Sequence, residues 1–307
     1  MRLIFMGSPD FAVPSLEALL ASQHEVVCVY TQPPRPAGRG HKIQKTAVHQ
    51  LAEKHNLAIH TPQHLKGEAL EELLSTPCDA IVVVAYGILL PQAVIDHAPC
   101  VNVHFSALPR WRGAAPVQHA IFAGDVTTEI CIAKLELKLD SGPVYLRKSF
   151  PLPENITTGE GYTWFSQEAA TPLVQVMDDF ENLTPIPQSE NGITIAPKVT
   201  SDMRPIDWRK PAHEVHNHIR GMSPWPGATT VCGDEIWKIL RSEKADRHGA
   251  AGEVLDITET GITVACGAGA VRLLVLQRPS KKAMDVADFV KGINLSVGNC
   301  FNSHGDL

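Results

Sequence analysis

The chain has 307 residues, of which 44% are hydrophobic, and its formal net charge is −6. The length and the apolar content suffice for buried cores and predict roughly two domains of about 150 residues each. The net negative charge gives the whole molecule no nucleic-acid signature, although a local basic segment can still bind nucleic acid by itself.

Short apolar runs alternate with helical patterns through the first 125 residues. Strands are predicted for residues 2–6, 25–31, 58–60, 80–85 and 101–106, and helices for 11–22, 46–56, 68–75 and 114–123. Strands that are separated by helices indicate a parallel sheet of the Rossmann-like kind. Their apolar residues run continuously rather than alternating, which is typical of a sheet covered on both faces.

The pattern changes after Asp125. Residues 128–137 and 142–150 are predicted strands, 162–180 a helix, and the polar, proline-dotted stretch 182–211 a linker. A predicted helix at 213–222 precedes short strands at 229–233, 235–241, 252–257, 261–265 and 270–277, a spacing that predicts a small β-barrel. We therefore expect an α/β fold with a first domain at 1–184, a linker at 185–207 and a second domain at 208–307.

The cysteines and the apolar runs bear on the compartment. Seven cysteines are scattered along the chain without a C-x-x-C pair, and most lie in apolar runs, where a free cysteine acts as a small hydrophobic residue. This pattern fits a reducing compartment. The short apolar run 3–6 ends at Gly7, so we expect no signal peptide, and no apolar run approaches the ~20 residues that span a bilayer. We expect a soluble, cytoplasmic protein.

Asn102 and His104 stand two residues apart at the end of an apolar run, and Asp140 follows in the stretch Leu139-Asp140-Ser141-Gly142. Residues i and i+2 of a strand share a face, so Asn102 and His104 are predicted to point at one spot, which Asp140 completes. An amide, an imidazole and a carboxylate suit acyl transfer, because they supply an oxyanion donor, a proton-handling group and an orienting charge.

Each of these residues also has a purely structural interpretation. Asn102 would cap a turn, His104 would be a satisfied core group, and Asp140 would form a turn before Ser141-Gly142. Their place at a strand end favours the catalytic interpretation, since open α/β sheets bind ligands beyond the carboxyl ends of their strands.

Two further segments allow more than one interpretation. Residues 85–91 end the most apolar strand and form either a core with a turn or a pocket wall for a flat ring. Residues 31–48 carry Arg35, Arg39, Lys42 and Lys45 and no acidic residue. Long loops in compact domains are usually functional or disordered, so this segment is either a solvated loop or an arm that contacts phosphates.

Taken together, these residues resemble the methionyl-tRNA formyltransferases along nearly the whole chain. The resemblance is carried by residues 5–12, 35–40, 85–87, 102–104, 106–116, 139–142, 206–208 and 219–227. The Asn-x-His…Asp set is shared more widely by enzymes that use 10-formyltetrahydrofolate, whereas the basic insertion and the second domain are typical of the tRNA enzyme.

The resemblance implies a reaction, a fold and a set of binding residues. The formyl group would move from 10-formyltetrahydrofolate to the α-amino group of methionine on initiator tRNA, without a metal. The second domain would resemble an OB barrel, and the protein is expected to act as a monomer. The implied folate residues are Tyr86, Gly87, Leu90, Ser106, Ala107, Leu108 and Pro109. The implied tRNA contacts are Arg35, Arg39, Lys42 and Lys45 in the basic segment, with Arg209, Lys210, Lys281 and Lys282 in the second domain.

The sequence departs from the family pattern at Pro34, Ala107, Glu129 and Lys138. None of these belongs to the predicted catalytic trio, but we expect Ala107 to alter the folate fit slightly and Lys138 to reshape the loop that presents Asp140. Three alternatives stay open: a formyltransferase for a nucleotide or sugar amine, a catalytically inactive RNA-binding module, and a formyltetrahydrofolate hydrolase.

Overall fold

The computed structural model describes residues 1–37 and 42–302. Within this part of the chain the strands are β1 (Arg2–Gly7), β2 (Glu25–Tyr30), β3 (Arg35–Ala37), β4 (Lys42–Gln44), β5 (Ala58–His60), β6 (Ala80–Val84), β7 (Cys100–His104), β8 (Arg112–Gly113), β9 (Thr127–Lys134), β10 (Val144–Pro151), β11 (Ile195–Ala196), β12 (Ala228–Cys232), β13 (Glu235–Ala245), β14 (Val254–Thr258), β15 (Gly261–Ala265), β16 (Ala270–Gln277) and β17 (Met284–Asp285). The helices are α1 (Val13–Leu20), α2 (Ala47–Lys54), α3 (Glu68–Ser75), α4 (Gln92–His97), α5 (Pro116–Ala123), α6 (Thr158–Asp178), α7 (Ala212–Met222) and α8 (Val286–Phe289), with 3-10 turns at Asp10–Ala12, Ser201–Met203 and Val290–Gly292.

The chain divides into two compact units, each built from several segments. Unit 1 comprises Met1–Gly113, Thr128–Phe150 and Tyr162–Ile195, and unit 2 comprises Ala114–Thr127, Pro151–Gly161 and Ala196–Leu307. Two segments of the predicted first domain therefore group with unit 2. Contacts of α5 with α7 account for part of this grouping: Phe122 stacks on His218 with ring centroids 6.0 Å apart. The predicted limits at 184/185 and 207/208 stay predictions.

Unit 1 is built on a sheet in the order β10-β9-β7-β6-β1-β2-β5. The strands from β7 to β5 are parallel, and β9 runs antiparallel to β7. Every residue of β6 is buried, as its unbroken apolar sequence predicts for a strand covered on both faces. The strand order reverses at β1, which lies between β2 and β6, and ligands of such sheets bind beyond the strand ends at this point.

Unit 2 is built on an antiparallel sheet in the order β12-β13-β16-β15-β14, with β17 beside β16. Residues near the C-terminus connect its two edges: Asn302 bridges to Val231 on β12, and Cys300 bridges to Glu253 next to β14. The core contains Trp237, whose ring lies 4.9 Å from that of Phe289, centroid to centroid. The predicted fold class, a mostly parallel α/β domain followed by a small β domain, is confirmed.

Several elements differ from the predictions, each for a local reason. Helix α6 begins at Thr158, four residues before the predicted start, because Thr157 and Glu160 form a reciprocal cap in which the Thr157 N–H donates to Glu160 Oε2 over 2.9 Å. Strands β3 and β4 pair within the segment predicted as a loop, and no pattern in the sequence predicts α4.

No helix in the described residues has the length and apolar character needed to cross a membrane.

Candidate active site

Strand β7 places Asn102 and His104 on one face, as the period of two predicts. Asp140 reaches them from the turn between β9 and β10. Asn102 Nδ2 lies 3.3 Å from Asp140 Oδ1, and His104 Nδ1 lies 3.8 Å from Asp140 Oδ2. The structure therefore brings the three predicted side chains together in unit 1, with His104 and Asp140 largely shielded from solvent.

A backbone carbonyl oxygen determines which ring nitrogen of His104 carries a hydrogen. His104 Nε2 lies 2.9 Å from the backbone oxygen of Trp111. Because a carbonyl only accepts hydrogen bonds, Nε2 carries a hydrogen in this contact. Nδ1 is then the nitrogen that faces the Asp140 carboxylate. The Trp111 carbonyl thus orients the imidazole, with Nδ1 turned toward the carboxylate of Asp140.

Asp140 adopts a backbone conformation that is uncommon for a residue with a side chain. Its φ is +44°, in the left-handed region. The N–H of Gly113 donates to Asp140 Oδ2 over 2.8 Å, so the carboxylate is held from two sides. Two residues on, a Cβ at Gly142 would lie 1.9 Å from the backbone oxygen of Lys134, so this turn excludes a side chain there. The carboxylate is thus fixed by its surroundings as well as by its own backbone.

Two residues that no sequence pattern predicts, Arg112 and Gln188, also belong to this site. Arg112 is 5% exposed, and its Nε and Nη2 donate to Gln188 Oε1 over 3.0 and 2.7 Å. Gln188 Nε2 donates to the backbone oxygens of Asp140 and Gly142 over 2.8 and 2.7 Å. Gln188 lies in the polar segment predicted as a linker, where no pattern in the sequence distinguishes it.

A cavity of about 920 Å³ opens in unit 1 where β1, β2 and β6 end. Of the predicted folate residues, Tyr86, Gly87 and Leu90 line it, together with Leu89, whose side chain is 87% exposed. The Tyr86 hydroxyl is buried without a hydrogen-bond partner among the described residues, and burial raises its pKa, so the phenol stays neutral. The size of the cavity and its apolar wall with a few polar groups are typical of a small-molecule site.

The second part of the predicted folate set lies outside the lining of this cavity. Ser106 is buried and donates to the backbone oxygen of Arg110 over 2.7 Å. Leu108 packs in a small core cluster with Cys131, Ala133 and Val144, and Arg147 donates to its backbone oxygen over 2.6 Å. Ala107 and Pro109 belong to the same turn after β7. The side chains of Ser106 and Leu108 thus serve the turn and the core, and a ligand role for this segment stays a prediction.

The basic segment is partly described. Arg35 and Lys42 lie on the β3–β4 hairpin and are exposed, and Lys45 follows β4 and pairs with Glu53. Arg35 and Lys45 also line the cavity, so its rim joins members of the predicted folate and tRNA sets. Arg39 lies outside the described residues.

In unit 2, two predicted tRNA contacts form ion pairs with neighbouring acids. Arg209 Nε lies 2.8 Å from Asp207 Oδ1, and Lys210 Nζ lies 3.2 Å from Glu214 Oε2. Both basic side chains are exposed, so the acids reduce their local positive charge without removing their access to solvent. Their contact with tRNA stays a prediction.

No group of three or more His, Cys, Asp or Glu side chains is placed to hold a metal ion in residues 1–37 and 42–302. Cys131, next to the site, is buried with its Sγ 3.1 Å from the backbone oxygen of Ser106, and burial raises its pKa to about 12. This thiol is suited to packing rather than to nucleophilic attack.

Comparison with known proteins identifies the class. A sequence profile described as "Formyl transferase" matches residues 1–177, and one described as "Formyl transferase, C-terminal domain" matches residues 198–294. The N-formyltransferase from Helicobacter canadensis, solved with folinic acid and dTDP-3-aminofucose, is similar with a TM-score of 0.70 at 17% identity, over 91% of this chain and 100% of that one. HypX from Aquifex aeolicus, solved with tetrahydrofolic acid, is similar with a TM-score of 0.66 at 18% identity, over 97% of this chain and 50% of that one. At these identities the likeness to the solved structures concerns the fold.

Curated relatives narrow the class to one family. The chain is 46% identical over 302 residues to the methionyl-tRNA formyltransferase of Jannaschia sp. (strain CCS1), covering 97% of this chain and 99% of that one. It is 47% identical over 296 residues to that of Ruegeria pomeroyi, covering 95% and 97%. The chain belongs to the methionyl-tRNA formyltransferase family of the formyl transferases.

Proposed function

We propose that this chain transfers a formyl group from 10-formyltetrahydrofolate to the α-amino group of methionine on initiator methionyl-tRNA. The observation that carries this function is the identity of 46–47% to curated methionyl-tRNA formyltransferases over nearly the full length of both chains. The cluster of Asn102, His104 and Asp140 at the end of β7 supports it, since it holds the groups that acyl transfer requires.

The proposed reaction forms one carbon–nitrogen bond and breaks another. The neutral methionyl amine attacks the formyl carbon, and negative charge develops on the formyl oxygen. The bond from that carbon to folate N10 then breaks, and the proton lost by the amine is transferred to N10. An α-amino group has a pKa of about 7.7–8.0, so a useful fraction is neutral at pH 7 without strong activation.

The three side chains take separate parts in this step. Asn102 donates an amide N–H to the developing oxyanion. His104 stabilises the same charge and carries the proton through Nδ1, while its Nε2 stays bound to the Trp111 carbonyl. Asp140 orients the His104 ring and a water, and helps to move the proton from the attacking amine to folate N10.

We place the folate co-substrate at the cavity that Tyr86, Gly87 and Leu90 line. The exposed side chain of Leu89 on its rim supplies an apolar surface that a bound ring would cover. The turn of Ser106 to Pro109 would contact the co-substrate through its backbone.

The tRNA phosphates would be contacted by two groups of basic side chains. Those of the basic segment are Arg35, Arg39, Lys42 and Lys45, and those of unit 2 are Arg209 and Lys210. We further propose that the protein acts as a monomer.

A formyl-transfer assay with labelled co-substrate tests this function. The purified chain is incubated with 10-formyltetrahydrofolate labelled in the formyl group and with methionyl initiator tRNA. We expect label on the methionyl amine, and none when uncharged tRNA is supplied. Transfer to a nucleotide-sugar amine, consumption of the folate without tRNA, or no turnover would each contradict the proposal and would favour one of the alternative functions.

A further inference from the structure

The Gln188 side chain contacts two segments that hold the Asp140 carboxylate: strand β8, through Arg112, and the turn that contains Asp140 and Gly142. Its carbonyl oxygen accepts two hydrogen bonds from Arg112, and its amide nitrogen donates to the backbone oxygens of Asp140 and Gly142. Each of these donor–acceptor distances is 3.0 Å or less. A neutral amide is suited to this place because it combines an acceptor for a guanidinium with two donors for carbonyls.

The two segments are the ones that fix the carboxylate. Arg112 immediately precedes Gly113, whose N–H donates to Asp140 Oδ2. Asp140 itself holds a φ of +44°, a conformation that persists only when neighbouring groups over-determine it. Gln188 therefore links the donor that fixes the carboxylate to the backbone that carries it.

The segment that carries Gln188 is attached to unit 1 at both ends. Ile186 and Val144 exchange backbone hydrogen bonds of 2.8 and 2.9 Å. Thr194 accepts from the Trp111 N–H at its Oγ1 over 2.8 Å and from the Arg112 N–H at its backbone oxygen over 2.9 Å. This attachment restricts where Gln188 can move and presents its amide to the turn.

We infer that Gln188 is a positioning residue for the reaction, acting through the orientation of Asp140. This inference rests on the proposed function. Without the amide, the Asp140 turn and the Arg112–Gly113 strand lose their common partner, and the carboxylate moves relative to His104 Nδ1. Small displacements of a reacting or orienting group cost roughly 10²-fold in rate, so the effect is expected in kcat.

Two substitutions and one matched control test the inference. Gln188→Met keeps the length of the side chain and removes its hydrogen bonds, while Gln188→Glu keeps the acceptor for Arg112 and removes the donors to the two carbonyls. Gln92→Met, on an exposed position of α4, controls for the loss of a glutamine from unit 1. We expect both Gln188 variants to lower kcat roughly 10–100-fold, with KM for methionyl-tRNA within about twofold of the wild type.

A double-substitution cycle separates positioning from a general structural role. In an Asp140→Asn background, Gln188→Met is expected to cause little further loss of kcat, because the group that it orients has already been changed. Wild-type kcat in both Gln188 variants, or losses that multiply in full with Asp140→Asn, would overturn the inference. If Gln188→Met does not fold, as judged by thermal unfolding, Gln188→Glu is measured in the same cycle.

A readout without substrate distinguishes this inference from the proposed function. The imidazole NMR signal of His104, assigned by its loss in a His104→Gln variant, is expected to shift in Gln188→Met and to stay unchanged in Gln92→Met. An unchanged His104 signal in Gln188→Met contradicts the positioning role. A wild-type chain that fails to formylate methionyl-tRNA, with the His104 shift present, contradicts the proposed function alone.

Discussion

At the scale of single residues, the site assigns one task to each polar atom. Asn102 directs one amide hydrogen toward Asp140 over 3.3 Å, which leaves its second hydrogen for a ligand. His104 Nε2 is bound to a carbonyl, and Nδ1 faces the carboxylate. An amide donor that is held as Asn102 is would stabilise developing charge without reorganising during the reaction, which is the physical basis of oxyanion stabilisation.

Asn102→Ala is therefore expected to lower kcat by roughly 10²–10³, because loss of one oxyanion donor typically costs about 2.7–4 kcal/mol. Folate affinity is expected to change little, since the interaction strengthens only in the transition state. Steady-state kinetics and folate titration measure the two quantities. Asn182→Ala, at an exposed position in unit 1, is the matched control. Near-normal turnover of Asn102→Ala would refute the assigned role.

At the scale of an element, α7 contains a buried histidine. His216 is 2% exposed, its Nδ1 lies 3.0 Å from Ser242 Oγ, and its Nε2 lies 3.4 Å from the backbone oxygen of Glu154. Burial, helped by the positive charge of Arg220, lowers the pKa of His216 to about 4. The folded protein therefore holds this ring neutral at pH values where an exposed histidine is protonated.

The depressed pKa of His216 predicts a pH dependence of stability. The unfolded chain binds a proton on this ring below about pH 6.5, whereas the folded chain does so only below about pH 4. The stabilisation from the neutral ring is present above pH 6.5 and is lost as the pH falls from 6.5 toward 4, by an amount on the order of 3 kcal/mol. In His216→Gln, denaturant unfolding is expected to show a shallower decline across this window.

The exposed His213 on the same helix offers the control His213→Gln, which also removes one histidine from α7. An unchanged pH dependence of the unfolding free energy in His216→Gln would contradict this account of the buried ring.

At the scale of the whole molecule, the distribution of charge matters more for tRNA binding than the net charge does. The chain has a net charge of −6, yet residues 31–48 carry four basic side chains and no acid. The repulsion between an acidic protein and a tRNA is screened over about 8 Å at physiological ionic strength, so a local basic hairpin can still bind phosphates. Lys42 on β4 is exposed in this position.

Lys42→Ala is expected to raise KM for methionyl-tRNA and to leave folate binding unchanged. If Lys42 neutralises one phosphate, the slope of log affinity against log salt falls in magnitude by about 0.9, the value for duplex DNA. Kinetics at several salt concentrations measure it. Lys54→Ala, at an exposed position on α2, makes the same change in net charge and serves as the control. Equal effects of the two substitutions would exclude a specific role for the hairpin.

Much of the fold could be predicted from sequence because its signals are local. The unbroken apolar run of β6 and the spacing of the short strands of unit 2 can both be recognised along the chain. Helix α4 has only six residues, Gln92–His97, too few for a helical period to stand out. The segment around Gln188 was predicted as a linker because its polar residues and prolines give no sign of the contacts that they make in unit 1.

The sequence by itself determined the fold class, the family and the pairing of Asn102 with His104, because apolar periods, ordered motifs and the alternation along a strand depend only on near neighbours in the chain. The tertiary structure decided that Asp140 lies beside them, that the Trp111 carbonyl sets the ring of His104, and that Gln188 joins Arg112 to the Asp140 turn. These contacts join residues from 7 to 76 positions apart, and such distances close only when strands, turns and connecting segments pack into one unit.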